Sequence, residues 1–242
     1  MEPIVAMSSR KIKAVIFDLD ETLIDAQNGL RKAHERITEM ISEHLKQEKL
    51  NLKKSQILRE IRSFDDKMNR EVKYDRDKWW QTIVNNLGVN IALSKAFIRR
   101  LTMAYWHAYV GSSKPYRNTL STLHYLKRNG LLLGLLSDTD CLKGMKRWRI
   151  SRLSFRDLFD AIVIAGEDTV KTKPSPEPYE LIARKLGVTA SECVFVGDKP
   201  FTDIEGAKIA GMKAVLVCRR DWRVDVKADW TIKSLSELRR IL

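Results

Sequence analysis

The chain has 242 residues, 44% of them hydrophobic, and a formal net charge of +13 from 44 Lys and Arg against 31 Asp and Glu. That composition suits one large globular domain or two modest ones, and no apolar run reaches the length of a membrane-spanning helix. The three cysteines, Cys141, Cys193 and Cys218, are odd in number and unclustered, which argues against a disulfide framework or a thiolate metal site and predicts free core thiols.

The N-terminal "MEPIVAMSSRKIKAV" interrupts its short apolar patch with "SSRKIK", so it reads as neither a secretory signal nor an anchor, and a soluble cytoplasmic protein is expected. Val15 to Phe17 then predicts a buried strand, and Asp18 and Asp20 stand at its end. In an extended chain those two carboxylates face one side and repel, so something must compensate them. From about Asn28 to Val110 the texture is helical. Leu30, Ile37, Ile41 and Leu45 recur at helical spacing, and "KKSQILREIRSFDDKMNREV", "RDKWWQTIVNNLGV" and "SKAFIRRLTMAYWHAYV" follow, predicting four helices and no strand. Basic and acidic residues are interleaved here, as in "HERITEMISEHLKQEKL". Without a long basic tract or zinc-finger spacing, the positive charge suits an anionic small substrate, and nucleic acid is not an expected partner.

Past the Gly- and Pro-containing connection "GSSKPYR", the apolar runs "LLLGLLSDTD", "DAIVIAGE", "CVFVGDKP" and "KAVLVCRR" alternate with helical segments. That alternation predicts an α/β fold with a parallel, Rossmann-like sheet covered by helices on both faces. The expected division is a catalytic core of residues 1–25 and 114–242 with an all-helical insertion of residues 26–113.

Ligands of open parallel sheets gather beyond the carboxyl ends of the strands. There the chain places Asp18 and Asp20, Ser137 with Asp138, Lys173, and Asp198 with Asp203. An all-oxygen carboxylate set points to magnesium rather than zinc, with Asp18 and Asp198 the natural direct ligands. A magnesium ion beside a lysine and a hydroxyl suits a phosphoryl group, which Lys173 and Ser137 would bind. One carboxylate can then attack phosphorus, and another can exchange the proton.

With "DLDET", "LLSD", "KTKPSPEPY" and "VGDKPFTDIEGAKIAGM" in that order, the sequence resembles the haloacid dehalogenase-like hydrolase superfamily, phosphatase branch, from Lys13 onward. The resemblance implies Asp18 as nucleophile, Asp20 as general acid and base, and Thr22 as the residue that orients the loop at the substrate. It makes Ser137 and Lys173 the phosphate binders, with Lys171 the weaker match to the lysine. A magnesium site would draw on Asp18, Asp20, Asp198 and Asp203. The helical insertion takes the place of the family's smaller helical cap domain. Two departures stand out: Glu21 where many relatives have glycine, and Ser137-Asp138 where many have Ser-Asn. Asp25, where the chain leaves the core, has no assigned role.

The expected activity is a magnesium-dependent hydrolysis of a small phosphate monoester through an aspartyl phosphate. A phosphomutase or phosphotransferase would share that intermediate, and a nucleic-acid-binding protein on the same scaffold is the alternative of another class. A dehalogenase needs neither Asp20 nor the metal-binding aspartates. His34, His44, His107 and His124 show no metal-like pairing and read as surface or interface residues. Trp79, Trp80 and "AYWHAY" read as helical core, and Arg70, Lys73 and Arg76 as a solvated face or a steering surface. Substrate identity and oligomeric state are not legible.

Overall fold

The computed structural model describes residues 12–242 apart from Val72, Asp221 and residues 223–225; residues 1–11, read above for a leader, lie outside it. The chain divides into two compact units. One comprises residues 12–24, Pro115–Asp138 and Ile150–Leu242; the other comprises Asp25–Lys114 and Thr139–Arg149.

The first unit holds β1 (Ala14–Phe17), β4 (Leu132–Asp138), β5 (Ala161–Ala165), β6 (Cys193–Gly197), β7 (Lys213–Val217) and β8 (Trp230–Ile232). They form one sheet in the order β5-β4-β1-β6-β7-β8, and every pairing in it is parallel. The chain builds outward from β1 through β4 to β5, then returns to the other side of β1 with β6. That reversal opens the crevice at the carboxyl ends of β1 and β6, where ligands bind in such sheets. Side chains alternate along the strands: Val15 and Phe17 pack with Leu123, Leu126 and Ile150, while Ala14 and Ile16 pack with Tyr179 and Ile182. Both faces are covered, by α5 (Thr119–Arg128) on one side and by α7 (Pro176–Leu186) and α8 (Glu205–Ile209) on the other, so the central strands are apolar throughout. Helix α7 has clear ends. Ser175 accepts the Glu177 amide, Pro176 opens the first turn, and Gly187 takes φ 69°, a left-handed stop that glycine adopts without strain.

The second unit contains α1 (Ala26–Gln47), α2 (Lys54–Arg70), α3 (Trp79–Asn86) and α4 (Lys95–Ser112), the four helices expected. Asp25 caps α1 by accepting the Gln27 amide at 3.0 Å, which gives that residue its role. Ile37, Ile41, Trp80, Leu101 and Tyr105 fill the core, so the aromatic residues pack inside as anticipated. At Gly29 a Cβ would collide with Ser113 and the Tyr109 carbonyl, so glycine lets α1 and α4 approach. Among the described residues no helix is long and apolar enough to cross a membrane.

Three sequence expectations are corrected here. His34 is buried rather than superficial, with Nε2 2.7 Å from Asp65 Oδ2. Burial pushes the Asp65 carboxyl up, but His34 and the Arg76 guanidinium outweigh it and hold the group below its usual range. Arg76 is not on a solvated face: it is buried, with its guanidinium 4.2–4.6 Å from the rings of Trp79, Tyr105 and Trp106. Stacking on aromatic faces lets a guanidinium enter a core that would reject an ammonium. Of the cysteines only Cys193 is buried; Cys141 and Cys218 are exposed, and all three are free. Apolar neighbours in sequence did not imply burial, because Cys218 lies just past the end of β7, where the chain leaves the sheet.

Helix α6 (Met145–Ser151) begins in the second unit. Segment Thr139–Arg149 belongs there because Met145 joins the helical core and Arg149 stacks over Trp106 and Tyr109 at 4.7 and 4.5 Å. Within the segment, Asp140 bridges Lys146 and Arg149 at 2.9 and 2.8 Å.

Candidate active site

Asp18 follows β1 and Asp198 follows β6. The two strands are neighbours, with Phe17 opposite Val196 and the Asp18 amide bonded to the Val196 carbonyl at 2.9 Å. Adjacent strands lie under 5 Å apart by general geometry, so the first polar positions past their ends converge. Asp203 enters from the π-helical turn Pro200–Ile204. Its Oδ2 accepts the Lys199 amide at 3.0 Å, and a Cβ on Gly197 would fall onto its side chain. Gly197 therefore makes room for Asp203. Tyr179 Oη donates to the Thr202 carbonyl at 2.7 Å, and Trp222 Nε1 donates to the Asp198 carbonyl at 2.8 Å, fixing the turn and the loop.

Asp18, Asp198 and Asp203 are all buried and each offers an oxygen within 4.8 Å of the others. The Asp20 carboxylate does not join that group. Lys173 arrives on the loop between β5 and α7, and its Nζ lies 2.8 Å from Asp18 Oδ1 and 2.6 Å from Asp203 Oδ1. Burial alone would lower that ammonium's pKa; the charges of Asp18, Asp203 and Asp138 hold it well above the usual lysine range. Burial raises the Asp18 carboxyl, partly opposed by Lys173. Asp198 is raised further, by burial and then by Asp203.

Asp198 carries the information about a metal. It is fully buried, and neither side-chain oxygen has a hydrogen-bond partner among the described residues. An orphaned buried carboxylate is costly without a compensating cation. The donor set is three carboxylates with no histidine or cysteine, which fits a hard divalent ion of the magnesium type.

Ser137 is buried at the end of β4, opposite Ile164 of β5. Thr22 is also buried, and its hydroxyl has no hydrogen-bond partner among the described residues. Backbone bonds hold that loop, from Leu23 and Ile24 amides to the Leu19 carbonyl at 3.0 and 3.2 Å. Asp138 turns to Lys173: its Oδ1 accepts the Lys173 amide at 3.0 Å. The residue that departs from the Ser-Asn pattern thus joins the serine strand to the lysine loop. Asp138→Asn keeps an oxygen that can accept this bond, whereas Asp138→Ala leaves the amide unpaired. Steady-state kinetics with an aryl phosphate should show KM raised about tenfold by the alanine variant, equivalent to ~1.4 kcal/mol, and nearly unchanged by the asparagine variant.

Tyr179, Gly197 and Trp222 were not singled out from sequence. Tyr179 sits at a core-facing helical position, and only Gly197, between a strand and an aspartate, carried a readable signal.

Residues 12–211 match the haloacid dehalogenase-like hydrolase family. The chain belongs to that family. It is 31% identical to the glyceraldehyde 3-phosphate phosphatase of Methanocaldococcus jannaschii, over 94% of this chain and 95% of that one. It is 26% identical to the human N-acylneuraminate-9-phosphatase, over 98% and 96% respectively. Among solved structures, a haloacid dehalogenase-type phosphatase from Thermococcus onnurineus superposes with a TM-score of 0.67 at 27% identity, covering 95% of this chain and 97% of that one. This haloacid dehalogenase-like hydrolase is a phosphatase, a phosphoric monoester hydrolase.

Proposed function

We propose that this phosphatase hydrolyses a small-molecule phosphate monoester, depends on magnesium, and works through an aspartyl phosphate on Asp18. The observation that carries the reading is the buried carboxylate trio Asp18, Asp198 and Asp203 bridged by Lys173, with the Asp198 oxygens unpartnered.

Asp18, Asp198 and Asp203 would hold the ion, with Asp20 close behind Asp18 in the chain. When bound, magnesium supplies charge neutralisation at the phosphoryl oxygens. An oxygen of Asp18 attacks phosphorus while the ester P–O bond breaks. Asp20 gives its proton to the departing alkoxide, and the freed alcohol leaves. Asp20 then takes a proton from water as the water oxygen attacks phosphorus, which returns Asp18 as a carboxylate and releases inorganic phosphate. Ser137, Lys173 and Thr22 bind and orient the phosphoryl group. Lys173 suits that task because it stays charged between two carboxylates. The helical unit, Asp25–Lys114 with Thr139–Arg149, serves as the cap that selects the leaving group.

Phosphate release from a panel of phosphorylated metabolites, with and without magnesium, tests the reading. The panel starts with glyceraldehyde 3-phosphate and N-acylneuraminate 9-phosphate, the compounds in its relatives' names. Magnesium-dependent release of free phosphate is expected; transfer to a sugar phosphate would favour a mutase, and metal-independent release would overturn the metal assignment.

A further inference from the structure

Three non-glycine residues take a positive φ among the described residues: Glu21 at 63°, Lys49 at 61° and Cys141 at 58°. Lys49 and Cys141 are exposed, whereas Glu21 is buried, in the motif turn and next to Asp20. A left-handed conformation strains any residue bearing a Cβ, and glycine escapes that strain. Strain kept at a functional turn calls for a use of the side chain.

Glu21 is held from two sides. Its Oε2 accepts from Tyr116 Oη at 3.3 Å, and its carbonyl accepts from Arg219 Nε at 3.2 Å. Arg219 also lies over the Tyr116 ring, 3.7 Å from its centroid, and its Nη1 donates to the Lys233 carbonyl at 3.3 Å. The turn closes on itself through the Glu21 amide to the Ile24 carbonyl at 3.0 Å, and the Tyr116 amide donates to the Leu23 carbonyl at 3.1 Å. Asp20 pairs with Ile24 in the same turn.

We propose that Glu21, with Tyr116 and Arg219, is a positioning residue that fixes Asp20 for proton transfer. The inference rests on Asp20 being the acid and base. As the bond from an Asp18 oxygen to phosphorus forms and the ester bond breaks, the proton must pass from the Asp20 carboxyl to the ester oxygen; it later passes back from water. Both transfers need hydrogen-bond reach, which a small rotation of the neighbouring peptide forfeits.

A general acid matters most when the leaving alkoxide is basic. kcat/KM, which reports the steps up to departure of the alcohol, is therefore compared for p-nitrophenyl phosphate and an alkyl phosphate in the wild type and in Asp20→Asn, Glu21→Gly, Glu21→Gln and Tyr116→Phe. Asp20→Asn should lose far more on the alkyl substrate. Glu21→Gly should reproduce that selectivity at a smaller scale, about tenfold on the alkyl phosphate and about twofold on the aryl one. Its melting temperature should be equal or higher, because glycine relieves the strained φ. Glu21→Gln, which can still accept from Tyr116, should stay within about twofold of the wild type, and Tyr116→Phe should show the same leaving-group-selective loss as Glu21→Gly. If Glu21→Gly fails to fold, Tyr116→Phe decides. Equal losses on both substrates, or no loss, in the presence of a selective Asp20→Asn would overturn the positioning role alone. An unselective Asp20→Asn would overturn the acid-base reading and this inference with it.

Discussion

Asp18→Asn is expected to lower kcat for any phosphate monoester by at least about a thousandfold, because the amide cannot attack phosphorus to form the acyl phosphate. The fold should survive. Asp18 is buried, but an asparagine of the same shape keeps an oxygen that can accept from Lys173, and Lys173 keeps Asp203 as a partner. A melting temperature within a few degrees of the wild type, together with lost phosphate release, is the outcome that fits. Acid-quenched wild-type enzyme should carry phosphoryl on the peptide containing Asp18, and the variant should not. Turnover that persists in the variant would remove Asp18 as nucleophile.

The second large effect concerns Asp198, where activity and stability should move in opposite directions. With a chelator the wild type should lose activity. With magnesium at a hundred times its dissociation constant, folding should gain ~2.7 kcal/mol, read as a rise in melting temperature. Asp198→Asn removes an orphaned buried charge. Its metal-free form should melt no lower than the metal-free wild type, its melting temperature should cease to follow magnesium, and its activity should fall at least about a hundredfold. An asparagine variant that still gains stability from magnesium would place the ion elsewhere.

The sheet was readable because its inner strands are buried on both faces. Val15 to Phe17 and Cys193 to Val196 have no polar side to blur the apolar run. Strand β8, Trp230–Ile232, lies at the sheet edge with two of its three residues exposed, and it gave no such run. The short strands β2 (Ile24–Asp25) and β3 (Lys114–Pro115) have two residues each, too few for any period. The strand-end aspartates and Lys173 were legible through their order along the chain and the rule for parallel sheets. That rule could not separate Asp20 from the other three carboxylates, because it places side chains at one edge without fixing distances.

Other residues depended on tertiary surroundings that no local pattern carries. His34 and Arg76 entered a core because Asp65 and a set of aromatic rings received them. Glu21 was visible as a substitution for glycine, but its left-handed backbone and its hold by Tyr116 and Arg219 were not. Asp138 was visible as an extra charge, and the Lys173 amide that it accepts was not.

Segment Thr139–Arg149, joined directly to Asp138 of β4 yet folded with the helices, bears on how the protein could be recombined with its relatives. The helical unit is not one removable cassette. A chimaera that exchanged only Asp25–Lys114 would leave Met145 facing a foreign core and Arg149 without the rings of Trp106 and Tyr109. Transplanting the helical unit therefore calls for moving two pieces of chain together, and the second of them is spliced to the very strand that carries Ser137.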